Sequence, residues 1–286
     1  MSIISPGAAQ NRAIFEAVRG HDYDRYLSAL LTRDPPRSGL MSLYAFAAEI
    51  ARVPELVSEP VLGEIRLQWW RDTISAGNSA TGSPIADAVV ATCVTHALPV
   101  GLLLGMIDAR SFDVAGDTMP DEPHLTAYLA KTEGALLNLS ARVLGATEGE
   151  TLEAAAAAGG EALGLTRLLL ALPRQLSKRR VMVPETLLRA SGASVEELLA
   201  GSDSASITRA LDQLRDRAHA AVRLAAPSLA QLPRATRSAF LPLALVGGYL
   251  SAMQRQGSDP LRDIVDLSPL TRVWRLWRAH RTGRVL

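Results

Sequence analysis

Leu163, Leu165, Leu168, Leu169, Leu170, Leu172 and Leu176 fall on almost every side of one helix. A helix that is apolar all round is buried, either in a large helical protein or in a membrane. The run GLTRLLLALPRQLSKRRVMVP, Gly164 to Pro184, reads as too short and too interrupted to span a bilayer, so burial in protein is expected. One stripe differs: Arg167, Ala171, Arg174, Gln175 and Lys178 recur at helical spacing on one face. An unpaired buried charge is very costly. The stripe must therefore line a cavity, find partners, or surface at the helix end.

The remaining chain repeats helical periodicity. Helices are expected over 11–31 (with a break near Asp22), from Ser38 to about Pro54, over 61–75, over 85–113 divided near Pro99, over 125–144, over 151–172, in short form within 184–200, and over 206–224, 233–256 and 270–281. No stretch alternates with period two for more than four or five residues, so the expected class is all-α, a single domain of about ten helices. With 286 residues, 48% of them hydrophobic, the chain can bury a full core. A net charge of +1 argues against nucleic-acid binding. A lone cysteine, Cys93, excludes an internal disulfide framework and fits a reducing compartment. The N-terminus lacks the basic and apolar blocks of a signal peptide. These features set the expectation of a cytoplasmic protein.

Two blocks carry a resemblance. LYAFAAEIARVPELVSEPVLGEIRLQWWRDTI (Leu43 to Ile74) and the 164–184 segment, with their spacing, resemble the squalene/phytoene synthase family, the head-to-head prenyl transferases. The resemblance implies an isoprenoid-synthase-like helical domain around a central cavity, with its core at about 22–256. It also implies two aspartate-rich motifs on facing helices, which hold Mg²⁺ against a departing diphosphate. Here the matching positions are Ala51, Arg52 and Glu55 in the first block and Ala171 and Gln175 in the second. One carboxylate remains of five. Alanine cannot ligate a metal and Arg52 would repel one, so no cofactor and no catalytic residue is expected. The segments AAEIARVPELVSEP and RRVMVP, with Lys131 to Leu137, are more similar to a non-catalytic branch, the complex I assembly factors with a squalene/phytoene synthase-like domain. That branch implies a binding or assembly factor with a respiratory-complex subunit as partner. The alternative is an active prenyl transferase using Mg²⁺ held by other ligands.

Individual residues leave paired readings. Arg167, Arg174, Lys178 and Arg180 form either an anion site that holds a phosphate directly or, toward Lys178–Arg180, a solvated helix end. Arg167 lies in a pocket or in a buried ion pair. Glu49, Glu55, Glu59 and Glu64 are remnants of a metal site or partners of Arg52 and Arg66. Tyr44 and Trp69 line a cavity for a prenyl diphosphate, lipid or quinone, or belong to the core. Trp69 and Trp70 point apart, so both cannot face one cavity. The five histidines show no metal spacing. In the last segment, 266–286, Leu270, Val273, Trp274 and Trp277 make an apolar stripe beside Arg272, Arg275, Arg278, Arg281 and Arg284. A basic amphipathic helix with tryptophan fits a peripheral contact with the inner face of the membrane, a partner surface, or docking on the protein's own core.

Overall fold

A computed structural model of the chain describes residues 6–78, 80–202, 204–255 and 259–286, and among these there are helices and no strands. In chain order the α-helices are α1 (Pro6–His21), α2 (Tyr23–Leu30), α3 (Pro36–Leu56), α4 (Pro60–Ala76), α5 (Pro84–Thr95), α6 (Val100–Ala115), α7 (Glu122–Leu129), α8 (Ala135–Val143), α9 (Glu150–Ser177), α10 (Glu185–Ala190), α11 (Val195–Leu199), α12 (Ala205–Gln231), α13 (Arg234–Arg237), α14 (Leu243–Met253) and α15 (Pro269–Thr282). A π-helical turn, Ala130–Gly134, joins α7 to α8 without a break. Counting 122–143 as one run, ten segments reach ten residues or more. The helix expected to end at Gln256 is followed to Met253; Gln256 lies outside the described residues.

Local chemistry sets the boundaries. Asp22 separates α1 from α2 by capping α2, its side chain accepting from Arg25 N. Ser83, Asp121, Ser204 and Ser268 cap α5, α7, α12 and α15 in the same way. Ser194 and Glu197 form a capping box at α11. Prolines behave differently from expectation. α3 runs through Pro54, α9 through Pro173 and α12 through Pro227, each within about a turn of the helix end. There the lost amide bond falls where packing of the apolar face outweighs it.

α9 is 28 residues long, and taken whole it could cross a membrane by length and composition alone. Burial decides the matter: 67% of its most apolar window lies inside the protein, against α12, α14 and the 122–143 run. Its small residues allow that closeness. A Cβ on Gly160 would stand 2.4 Å from the Gly134 amide nitrogen, so the π turn rests on the backbone of α9.

The core has two apolar clusters. One, from α1 to α6 and α8, includes Phe46, Ile50, Leu67 and Met106. The other, from α7 to α12, α14 and α15, includes Leu165, Leu172, Leu211 and Phe240. Cys93 is half-buried, and burial pushes its thiol up to about 11, as an inert thiol would be.

Candidate functional site

α3, α6, the π turn and α9 enclose two adjoining chambers of about 310 Å³ and 270 Å³. They share Ala51, Glu55, Arg110, Glu133, Arg167 and Arg174 as walls. The basic stripe of α9 does face this space: Arg167, Ala171, Arg174 and Gln175 line the larger chamber, and Lys178 and Arg180 complete its rim. Leu129, Leu168 and Met182 give the same chamber an apolar side.

At the deep end, Arg167 resolves both of its readings at once. It lines the chambers and is held by a buried ion pair. Its Nη1 and Nη2 donate to the two oxygens of Asp22 at 2.8 Å each, a bidentate fork. Arg25, 3% exposed, donates to Asp22 at 2.9 Å and to Glu133 at 2.5 Å. Arg167 lies 3.7 Å from Glu133. Two guanidinium groups and two carboxylates thus cancel, which makes their burial tolerable. Burial alone would raise Asp22 and Glu133. The facing Arg167 and Arg25 outweigh it and hold both carboxyls below their ordinary range. The π turn aims Glu133 inward, a use of the extra residue often seen at functional sites. A second neutral group lies beside it. Arg110 pairs with Asp113 at 2.9 Å and also bonds Tyr128 Oη, which donates to Asp113 at 2.8 Å.

At the outer end, α3 and α9 meet where the resemblance places metal. Ala51, Glu55, Ala171 and Gln175 all border the larger chamber, and Arg52 borders the smaller. Glu55 accepts from Arg174 at 2.6 and 2.7 Å and from Lys178 at 3.0 Å. Arg180 Nη2 donates to the Pro54 carbonyl at 3.3 Å. Burial would raise Glu55, and Lys178 and Arg174 overcome that and lower it. The donor set does not fit Mg²⁺, which wants several oxygen ligands in octahedral geometry. The lone carboxylate at these positions is already bound to two cations of the protein. Of the other carboxylates that border the chambers, Asp22, Asp113 and Glu133 are committed to arginines and Asp117 is exposed, and among the described residues no group of three or more His, Cys, Asp or Glu is placed to hold a metal.

Other expected positions land elsewhere. Arg52 pairs with Glu49 at 3.6 Å, as helical spacing suggests, whereas Glu64 turns to Arg71 rather than Arg66. Tyr44 and Trp69 do not border the chambers, a correction of the cavity reading. Tyr44 is buried in the core with Arg25 stacked 5.5 Å from its ring. Trp69 is 41% exposed on the outside of α4, while Trp70 packs inward against Phe46. Arg272, expected on the outer surface, turns inward to Asp24 at 3.0 Å and to Tyr249 Oη at 3.0 Å. Trp274, Trp277, Arg275 and Arg278 are exposed.

His21, Asp22, Arg25, Arg110, Asp113 and Glu133 border the chambers or their network without having been singled out as site residues. Asp22 gave the only local signal, as a helix break.

Comparison with known proteins agrees with this fold. The family described as squalene/phytoene synthase matches residues 18–278. A bovine (Bos taurus) NADH dehydrogenase (ubiquinone) complex I, assembly factor 6 is 27% identical over 274 residues, 94% of this chain and 82% of that one. A Thermus thermophilus phytoene synthase is 26% identical over 277 residues, 96% and 93% of the two chains. The crystal structure of squalene synthase HpnC from Alicyclobacillus acidocaldarius superposes with a TM-score of 0.76 at 20% identity, covering 87% of this chain and 95% of that one, a likeness of fold. Overall identity is nearly the same toward an assembly factor and toward a synthase, so the site residues must separate the two.

Proposed function

This chain belongs to the squalene/phytoene synthase family, and from that premise we propose that it is a non-catalytic member acting as a binding and assembly factor for a complex I-type NADH dehydrogenase. The observation that carries the reading is the Glu55 bridge. In the family's chemistry the space between the two motifs needs carboxylates facing a divalent cation. Here Arg174 and Lys178 supply the positive charge themselves, and the methyl groups of Ala51 and Ala171 replace ligands. A diphosphate could be held by such cations, but its departure would lack the metal that neutralises the developing charge.

The cavity itself is retained, and this supports a role as a binding pocket. Seven cationic side chains border the two chambers against five carboxylates. The Oε1 of Gln175 is buried without a hydrogen-bond partner in the protein. Surplus positive charge and an apolar side suit a ligand with a polar head and an apolar tail. A prenyl diphosphate, a lipid and a quinone all have that form. The proposed place of action is the cytoplasmic face of the membrane that carries the dehydrogenase.

Incubation of the protein with farnesyl or geranylgeranyl diphosphate and Mg²⁺ tests the non-catalytic reading: neither hydrocarbon nor steady diphosphate release is expected. The likeness to a phytoene synthase over 277 residues makes this the sharpest test, because a product would establish the prenyl transferase alternative. For the assembly role, deletion of the gene is expected to lower the amount of assembled NADH dehydrogenase, measured as intact complex in native gels. Unchanged levels would remove that role.

A further inference from the structure

α15 is amphipathic twice over. Its inner side holds it to the protein: Leu276 and Ala279 are buried, and Arg272 is bound to Asp24 and Tyr249 on α2 and α14. Arg234 donates to the Arg281 carbonyl at 2.5 Å and Arg237 to that of Gly283 at 3.1 Å, fixing the end of the helix. The opposite side is apolar yet uncovered: Leu270 is 84% exposed, Trp274 59% and Trp277 45%. The two indoles stack on each other with centroids 5.3 Å apart. At helical spacing Arg278 and Arg281 stand on this same side, and from Leu267 to Leu286 there is no Asp or Glu.

We propose that this face of α15 docks on an anionic lipid surface, with Trp274 and Trp277 in the interfacial layer and Arg278 and Arg281 on lipid phosphates. Indole rings favour the boundary between water and hydrocarbon. Arginine lets its stem lie along apolar matter while its head reaches charge. Charge complementarity selects the occupant. A second copy of this chain packed on the same face would set arginine against arginine with no acid between them. A neutral bilayer would leave the cations without partners. The other exposed apolar strip, Val61, Ile65 and Trp69 on α4, has Glu59 and Glu64 close in sequence and does not share this character. The inference does not depend on the assembly role or on what fills the cavity.

Co-sedimentation of the full chain with vesicles tests it, comparing phosphatidylcholine alone with phosphatidylcholine mixed with phosphatidylglycerol. Binding is expected to the mixed vesicles only, weakening as salt is raised. Each cation near an anionic surface contributes about 1 kcal/mol, so Arg278→Gln with Arg281→Gln should weaken binding about thirtyfold. Trp274→Ser with Trp277→Ser should weaken it as well, whereas Trp69→Ser should leave it unchanged. All these side chains are exposed, so circular dichroism and melting should stay as in the parent. Arg278→Lys with Arg281→Lys, which keeps the charge, should retain binding. Absence of binding to either vesicle, equal binding to both, or insensitivity to the α15 substitutions would each overturn the proposal. So would self-association abolished by the tryptophan substitutions.

Discussion

The two ends of the α9 stripe use the same chemistry in different surroundings. Arg167 and Arg174 are seven residues apart, two turns of one helix; Arg167 forks onto Asp22 with both terminal nitrogens, and Arg174 reaches both oxygens of Glu55 through Nη2 alone. Asp22, Arg25 and Glu133 around the first are nearly all buried and Arg167 itself is 33% exposed, whereas Arg174 has 67% of its side chain exposed and Lys178 41%. Distances alone would rank the outer bridge as the tighter, at 2.6 against 2.8 Å. Solvent reverses that ranking. In water a pair gains little, because both ions are already well solvated. Inside, loss of one partner leaves the other charge stranded. The deep network is therefore architecture, tying α2, the π turn and α9 together. The outer bridge is a local ion pair at positions where the family resemblance implies metal ligands.

Removing one deep carboxylate should give the largest effect. Asp22→Asn leaves Arg25 and Arg167 with only Glu133 between them, and it should cost about 3–5 kcal/mol in urea unfolding. A loss under about 1 kcal/mol would show that water reaches the network and would erase the contrast with the rim. Acidity probes the same groups. Asp22 and Glu133 have folded pKa values below their unfolded ones, so their contribution is complete above the unfolded carboxylate range near ~4. It is lost as pH falls through the folded values. The stability gap between the parent and Asp22→Asn should accordingly shrink as pH drops below about 4.

The network can also be disturbed from behind. Gly160→Ala would place a methyl group 2.4 Å from the Gly134 amide nitrogen, pushing the π turn and Glu133 off α9. Overpacking of this kind costs about 1–3 kcal/mol, and the loss should be partly shared with Asp22→Asn in a double-mutant cycle. Full additivity would mean that the π turn is not what aims Glu133.

The comparison also marks where sequence reading reached its limit. Helix periodicity was plain, and so was the basic stripe, because residues three and four apart share a face whatever surrounds them. The partner of Arg167 was not, since Asp22 lies 145 residues away and no local rule links them. Lys131 to Leu137 stood out only by resemblance; that a π turn would rotate Glu133 into the cavity depends on the close glycine contact with α9. Sequence showed that Trp69 and Trp70 diverge but not which one faces inward. Likewise Arg272 shares a spacing with the other C-terminal arginines, and Asp24 and Tyr249 on other helices set it apart.

At the rim the expected effects are smaller. Ala51→Asp, Ala171→Asp and Gln175→Asp together should restore oxygen ligands around Glu55, but Arg174 and Lys178 would compete with a cation. Adding Arg174→Ala and Lys178→Ala should let Mg²⁺ raise stability, by about 1.4 kcal/mol at ten times the dissociation constant. Melting with and without Mg²⁺ measures it. Equal Mg²⁺ stabilisation in the triple variant alone would mean that the bridge does not occupy the metal position.

The smallest change is expected from Glu55→Gln. Its carboxylate joins α3 to α9 through two half-solvated cations, a geometry worth about 0–1 kcal/mol and weakened by salt. Unfolding in urea should move little, and less still at high ionic strength. The same substitution should have a different consequence inside the chamber. With Glu55 neutral, Arg174 and Lys178 lose their internal anion, and inorganic pyrophosphate should bind more tightly than to the parent in titration calorimetry. Unaltered affinity would show that these two side chains turn to solvent once released. A large loss of stability would place the outer bridge beside the Asp22 network as a structural lock, and the division of the α9 stripe into a deep frame and an adaptable rim would fail.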